Sequence, residues 1–268
     1  MRVALTKQDW VGTPPWKEFT LSIYFEIAFA AASRRLCLFL GTGFSKAITN
    51  NKAPNWKALL ERLCDLTKNS SSLKGALFPK NATPPLSLEE AAEVIAIELS
   101  KEGKNIQNEI ATIIKDLKIE GNHSSISEFM KTNVAEIITT NYDLLAEELL
   151  DGVKFHSICP GRPVPRSSAN SCIYHIHGSI NKPSHMVVTS NDYFKFMNTE
   201  SYFSKKLSTA LHENTVIILG YSLSDTNLKS IINGNRSVRL IFRRRSADNK
   251  RHERREQNRI KMSQLREA

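Results

Sequence analysis

Four short groups of small and polar residues stand directly after apolar runs, and their types point to chemistry on a nucleotide. Gly41-Thr42-Gly43-Phe44-Ser45 follows Leu36–Leu40, and Thr140-Asn141-Tyr142-Asp143 follows the run at 134–139. His177-Gly178-Ser179 follows 173–176, and Gly220-Tyr221-Ser222-Leu223-Ser224-Asp225 follows Thr215–Leu219. Glycines let a backbone approach a phosphate closely, and the start of a following helix offers N–H groups to an anion. An amide and a carboxylate at Asn141 and Asp143 suit ribose hydroxyls and a water. An imidazole titrates near neutral pH, which fits His177 for a general base. Gly220, Ser222 and Asp225 would receive the adenosine half of a dinucleotide.

The same residues also fit purely structural roles. Gly41-x-Gly43 lacks the third glycine of the dinucleotide fingerprint and suits a tight strand-to-helix turn. Asn and Asp favour the start of a following helix, here near Leu144, and Ser224 or Asp225 would do the same after 220. His175 lies two residues before His177, on the same strand face, and reads as a satisfied core residue. No third ligand accompanies the two histidines, so no metal site is expected.

The elements that carry these groups alternate. Apolar runs at 36–40, 134–139, 173–176, 186–189, 215–219 and 238–242 read as strands. Helical spacing occupies 16–35, 56–63, 87–100, 105–117, 144–150 and 202–212, with Ser87 as an N-cap. Residues 19–32 read as a buried helix ahead of the first strand. Residues 69–86, rich in Ser and Pro, read as a loop. This order predicts an α/β fold: a Rossmann-like parallel sheet flanked by helices, with a helical insertion after the first strand, at about 50–127. In such sheets ligands bind outside the carboxyl ends of the strands, so the four groups would converge on one crevice. The expected division is a sheet domain over 1–240 and a basic C-terminal helix or tail over 241–268.

Composition narrows the class. The chain has 268 residues, 41% apolar and 24% charged, with a formal net charge of +10. That excludes a disordered or fibrous chain. Residues 236–268 hold 12 Lys/Arg against 4 Asp/Glu, so most of the charge lies in the tail and the body is nearly neutral. The tail reads as a solvated helix or as a contact for nucleic acid or an acidic partner. The four cysteines show no Cys-x-x-Cys spacing, which argues against a zinc ribbon or redox dithiol and for a reducing, cytoplasmic setting. No stretch reads as a membrane span or a signal sequence, so no membrane association is expected.

Taken together, Leu38-Phe39-Leu40-Gly41-Thr42-Gly43-Phe44-Ser45 with Pro54-Asn55-Trp56, Ile138-Thr139-Thr140-Asn141-Tyr142-Asp143, His175-Ile176-His177-Gly178-Ser179 and Leu219-Gly220-Tyr221-Ser222-Leu223-Ser224-Asp225 resemble the sirtuin-like family, in its order. They are similar above all to its bacterial antiphage branch. The resemblance implies a Rossmann-like domain that takes NAD+ as substrate. It implies that Gly41, Thr42, Gly43, Phe44 and Ser45 lie on the phosphates, with Thr140, Gly220, Ser222 and Asp225 lining the cofactor. It further implies that Asn141, Asp143 and His177 are catalytic. Sirtuin deacylases usually carry four zinc cysteines after the catalytic His; here none follows Cys172, and Thr42 stands where they have Ala. The resemblance therefore implies an NAD+ hydrolase that depletes NAD during infection, rather than a deacylase. A non-catalytic subunit that binds NAD or ADP-ribose is the alternative. The implied partners are copies of the chain itself, a HerA-type ATPase or a short Argonaute, with nucleic acid reached through the tail or a partner.

Overall fold

The computed structural model describes residues 23–198, 202–221 and 241–242. Ser222, Asp225, residues 1–22 and the tail beyond 242 lie outside the described residues. Six parallel strands form one sheet in the order β3-β4-β2-β1-β5-β6. They are β1 (Leu36–Leu40), β2 (Glu136–Thr139), β3 (Phe155–Ile158), β4 (Ser171–His175), β5 (Thr215–Leu219) and β6 (Ile241–Phe242). β1 sits between β2 and β5. The chain builds β2, β4 and β3 on one side of β1, then crosses to β5 on the other. That reversal opens a crevice at the carboxyl ends of β1 and β5.

Alternation along β1 divides the interior. Leu36, Leu38 and Leu40 enter one core with Phe44, Met130, Ile137 and Leu149, while Cys37 and Phe39 enter another with Ile138, Leu207 and Ile218. A continuous apolar strand buried on both faces is what a helix-covered parallel sheet requires. The helices beside the sheet are α1 (Ile23–Ala32), α2 (Thr42–Ile48), α8 (Leu145–Leu149), α9 (Ser190–Asn198) and α10 (Tyr202–Glu213).

Between α2 and β2 the chain inserts α3 (Trp56–Cys64), α4 (Ser70–Leu77), α5 (Leu88–Ser100), α6 (Ile106–Ile114) and α7 (Ser124–Asn133). Asn55 opens α3 by accepting from the Ala58 N–H, and Ser87 opens α5 in a reciprocal capping box with Glu90. Leu60, Leu63, Ala92, Ile95, Leu99 and Ile110 form a third core. Tyr142, Met186 and Val188 also belong to it, so the insertion covers loops that leave β2 and β4.

Several elements differ from the sequence reading. Residues 186–189 are not a strand. The Val187 N–H goes to the His177 carbonyl, and the Val188 and Thr189 N–H groups go to Asp192 Oδ2, so none joins a ladder. The strand that replaces it, β3, carries His156 and Ser157 and lies at the sheet edge, where apolar alternation is not demanded. Helix α4 occupies part of the expected loop at 69–86. Helix α1 is not buried all round: Ala30 is enclosed, but Tyr24, Phe25 and Phe29 are 79%, 54% and 65% exposed. Of the run at 238–242, only Ile241–Phe242 falls within the described residues. No helix among the described residues is long and apolar enough to cross a membrane.

Candidate active site

The crevice rests on a close contact between two turns. The Gly41 N–H donates to the Leu219 carbonyl at 2.9 Å and the Gly43 N–H to the Gly220 carbonyl at 2.7 Å. A Cβ on Gly43 would lie 2.7 Å from the Gly220 oxygen, and one on Gly41 would lie 2.5 Å from Tyr221. Glycine at 41 and 43 is therefore required by the approach of the β5 turn. These two amides are committed within the protein and do not point at a ligand.

Above this contact is a cavity of about 390 Å³. Thr42, Ser45, Thr140, Asn141, Asp143, His177 and Gly220 line it, so residues from all four sequence groups meet there. Gly41 and Gly43 are not in its wall, and Phe44 is in the core below. The insertion supplies an apolar side: Trp56, Leu59, Leu88, Ile114 and Leu117. Glu89, Tyr193 and Tyr221 also reach it.

Ser45, Asn141 and Asp143 form a short relay. Ser45 Oγ donates to Asp143 Oδ2 at 2.8 Å, and Asn141 Nδ2 donates to Ser45 Oγ at 2.8 Å. A hydroxyl has one hydrogen, and the carboxylate takes it. Ser45 must then accept from Asn141, which fixes the amide nitrogen on the Ser45 side. Asn141 Oδ1 is left buried with no protein partner. An unmade bond at such an atom costs about 1–3 kcal/mol, which a ligand hydroxyl or a water would recover. Asn141 thus presents an acceptor.

Asp143 has partners at both oxygens, because Oδ1 accepts the Leu145 N–H at the start of α8 at 3.2 Å. Burial pushes its carboxyl up from the usual range, while the Ser45 and Leu145 hydrogen bonds pull it down. Ser45→Ala removes one of those bonds and leaves Asn141 free to turn. The expected result is a fall in turnover of about tenfold, with the acid limb of the pH profile moved to higher pH because the carboxyl holds its proton longer. Steady-state rates across pH check it; an unmoved limb would deny the link between Ser45 and Asp143.

His177 is buried, and its ring meets Tyr193 and Phe196 edge-on at 5.1 and 5.2 Å between centroids. Tyr193 Oη lies 3.4 Å from His177 Nδ1, a long contact. If Nδ1 carries the hydrogen toward Tyr193, Nε2 retains the lone pair a base needs. The Tyr142 hydroxyl donates to the Val187 carbonyl at 2.6 Å, which ties the loop after β2 to the segment that follows His177. His175 is fully buried, as its sequence position suggested.

Sequence reasoning gave no site role to Trp56, Glu89, Tyr142 or Tyr193. Trp56 had a signal, since it closes the Pro54-Asn55-Trp56 segment quoted above. Tyr193 had none, because α9 was not foreseen. Among the described residues, no cluster of three or more His, Cys, Asp or Glu side chains could hold a metal ion.

Comparison with known proteins finds a family likeness. The SIR2-like domain model matches residues 135–258. Defense-associated sirtuin 2 of Bacillus subtilis is 25% identical over 217 residues, covering 78% of this chain and 20% of that protein. NAD(+) hydrolase ThsA of Cytobacillus dafuensis is 24% identical over 207 residues, covering 73% of this chain and 37% of that protein. NAD(+) hydrolase ThsA of Bacillus cereus (strain MSX-D12) is 31% identical over 106 residues, covering 37% of this chain and 22% of that protein. The chain thus spans from a fifth to little more than a third of the length of these relatives. With a parallel sheet and a crevice at its switch point, the chain carries a SIR2-like match over residues 135–258 and resembles the defence-associated sirtuin and ThsA proteins.

Proposed function

We propose that this cavity binds NAD+ and hydrolyses its nicotinamide–ribose bond, giving nicotinamide and ADP-ribose, and that the reaction serves antiphage defence by depleting NAD. The observation that carries the reading is the meeting of His177 with the Ser45–Asn141–Asp143 relay in one cavity. The names of the relatives support it.

The chemistry asks little of a general acid. The pyridinium leaves as neutral nicotinamide, so the electron pair of the breaking C1′–N bond returns to the ring nitrogen without a proton. Positive charge builds on the ribose as in other glycosidic cleavages. Glu89 and Asp143 are the Asp, Glu, Lys or Arg side chains in the described wall, and both are acids, which suits a cationic ring and a cationic transition state. Asn141 Oδ1 accepts from a ribose hydroxyl or from the attacking water. His177 takes the water's proton as its oxygen bonds to C1′. The apolar side built by Trp56, Leu59 and Ile114 keeps bulk water away.

An unrestrained activity of this kind would exhaust the NAD of its own cell. The reading therefore includes activation in an assembly: copies of this chain, a HerA-type ATPase or a short Argonaute, with the basic tail available to nucleic acid. The test is incubation of the full chain with NAD+, alone and with such partners, followed by chromatography. Equal amounts of nicotinamide and ADP-ribose are expected, rising on assembly. Binding of NAD+ without product in any mixture would make the chain a regulatory subunit instead.

A further inference from the structure

Beneath Asn141 lies a buried ion pair that the reaction just described does not use. His175, the last residue of β4, has its Nδ1 3.1 Å from the main-chain carbonyl oxygen of Asn141. Its Nε2 lies 2.8 Å from Glu147 Oε1 on α8. Ser157 Oγ, from β3, donates to the same Glu147 oxygen at 2.6 Å. A carbonyl and a carboxylate only accept, so His175 satisfies both by carrying hydrogens on both nitrogens, as an imidazolium.

As a source of stability this is a poor arrangement. Removing two charges from water costs as much as their attraction returns, and apolar residues of similar size would fill the space as well. What the pair supplies, and an apolar filling would not, is a charged donor on the backbone of Asn141. That residue's own N–H is held by Thr139 Oγ1 at 3.0 Å, and its side chain by Ser45. With the carbonyl gripped as well, Asn141 is fixed on every polar group except Oδ1.

We infer that His175 and Glu147 are positioning residues for Asn141: the imidazolium holds its carbonyl, Glu147 holds the imidazolium, and the free amide oxygen is thereby aimed at the substrate. The inference rests on the hydrolase reading of the cavity. It also gives the reaction an alkaline limit. The groups that face His175 are Glu147 on α8 and the Asn141 carbonyl and Asp143 carboxylate on the loop after β2. Burial opposes a charge on the ring, but these groups outweigh it and hold His175 above its ordinary value. Burial likewise opposes the Glu147 charge, and His175 keeps that carboxyl below its usual range. The raised group keeps its charge to higher pH than a free imidazole and loses its proton as pH climbs through its folded value. One of its two acceptors then loses its donor.

Asn and Gln separate the two contacts of His175. An Asn amide nitrogen occupies the place of Nδ1, and a Gln amide nitrogen that of Nε2. His175→Asn is expected to keep kcat within about threefold of wild type and to lose the alkaline limb. His175→Gln is expected to lower kcat about 10- to 100-fold with KM nearly unchanged, the signature of a misplaced reacting group. Glu147→Gln moves the alkaline limb to lower pH. Wild-type kcat in His175→Gln, or equal losses in the Asn and Gln variants, would reduce the pair to packing and overturn the inference.

Nitrogen-15 spectra of the histidine rings decide the matter without turnover. Two protonated nitrogens on His175 at neutral pH are expected, with the Asn141 side-chain amide signal shifting at the same midpoint in alkali. A neutral ring, or an Asn141 signal indifferent to that midpoint, overturns the inference. The expected coupling in a wild-type chain that releases no nicotinamide would sink the hydrolase reading and leave the positioning intact.

Discussion

His177→Ala is expected to cut nicotinamide release by about 10²–10⁴-fold, the usual worth of a general base, while NAD+ binding persists. The ring lines the cavity opposite no other histidine, and its place between Tyr193 and Phe196 gives it a defined orientation. Its role is acceptance of one proton as water attacks, so the loss belongs to kcat rather than to binding. Removing a buried ring also loosens packing against Phe196, which is why calorimetric binding and thermal unfolding belong beside the rate measurement. Wild-type turnover in a folded His177→Ala chain would remove the imidazole from the chemistry and leave the Asn141 relay to carry it.

Gly220→Ala is the substitution expected to cost the most stability. Gly220 has φ +68°, a backbone region that side chains rarely adopt, and a Cβ there would fall 1.9 Å from the Phe44 nitrogen and 2.4 Å from the Gly43 carbon. Both neighbours are main chain, so no side chain can swing aside. Strain and the forced separation of two turns together come to about 3–5 kcal/mol. For a chain of this size that lowers Tm by about 10 °C or more. Gly152 is the control. It shares the left-handed backbone at φ +87° but has open space where a Cβ would go, so Gly152→Ala should cost only about 1 kcal/mol of backbone strain. Similar melting of the two variants would mean that the contact of the β1 and β5 turns does not hold the crevice together.

The elements flanking the crevice were legible because their demands are local. Leu36-Cys37-Leu38-Phe39-Leu40 is apolar throughout and stops at glycine, which suits a strand buried on both faces. Ser87 announces its helix through side-chain chemistry within one turn. What escaped reading depends on distant partners. Residues 186–189 are as apolar as a strand, but the N–H groups of 187–189 donate to the His177 carbonyl and the Asp192 carboxylate, and nothing local marks that. The edge strand at 155–158 needs only its pairing with β4. Within the site, Asn141 and His177 carried recognisable signals. The Ser45 relay spans 96 residues, and the His175–Glu147 pair spans 28. Such contacts exist only once the sheet has formed.

The shared interior of the insertion and the loops has a consequence for protein engineering. Helices α3 to α7 look like a cassette that could be cut out to leave a compact nucleotide-binding scaffold. Yet Tyr142, Met186 and Val188 would then lose the surface that covers them. The trimmed scaffold would expose a greasy patch beside the chamber it was meant to preserve, with Tyr142 adjoining Asn141 and Val188 following the peptide whose carbonyl anchors Tyr142. Any minimised version must repaint those three positions with polar side chains and find the Tyr142 loop a new anchor.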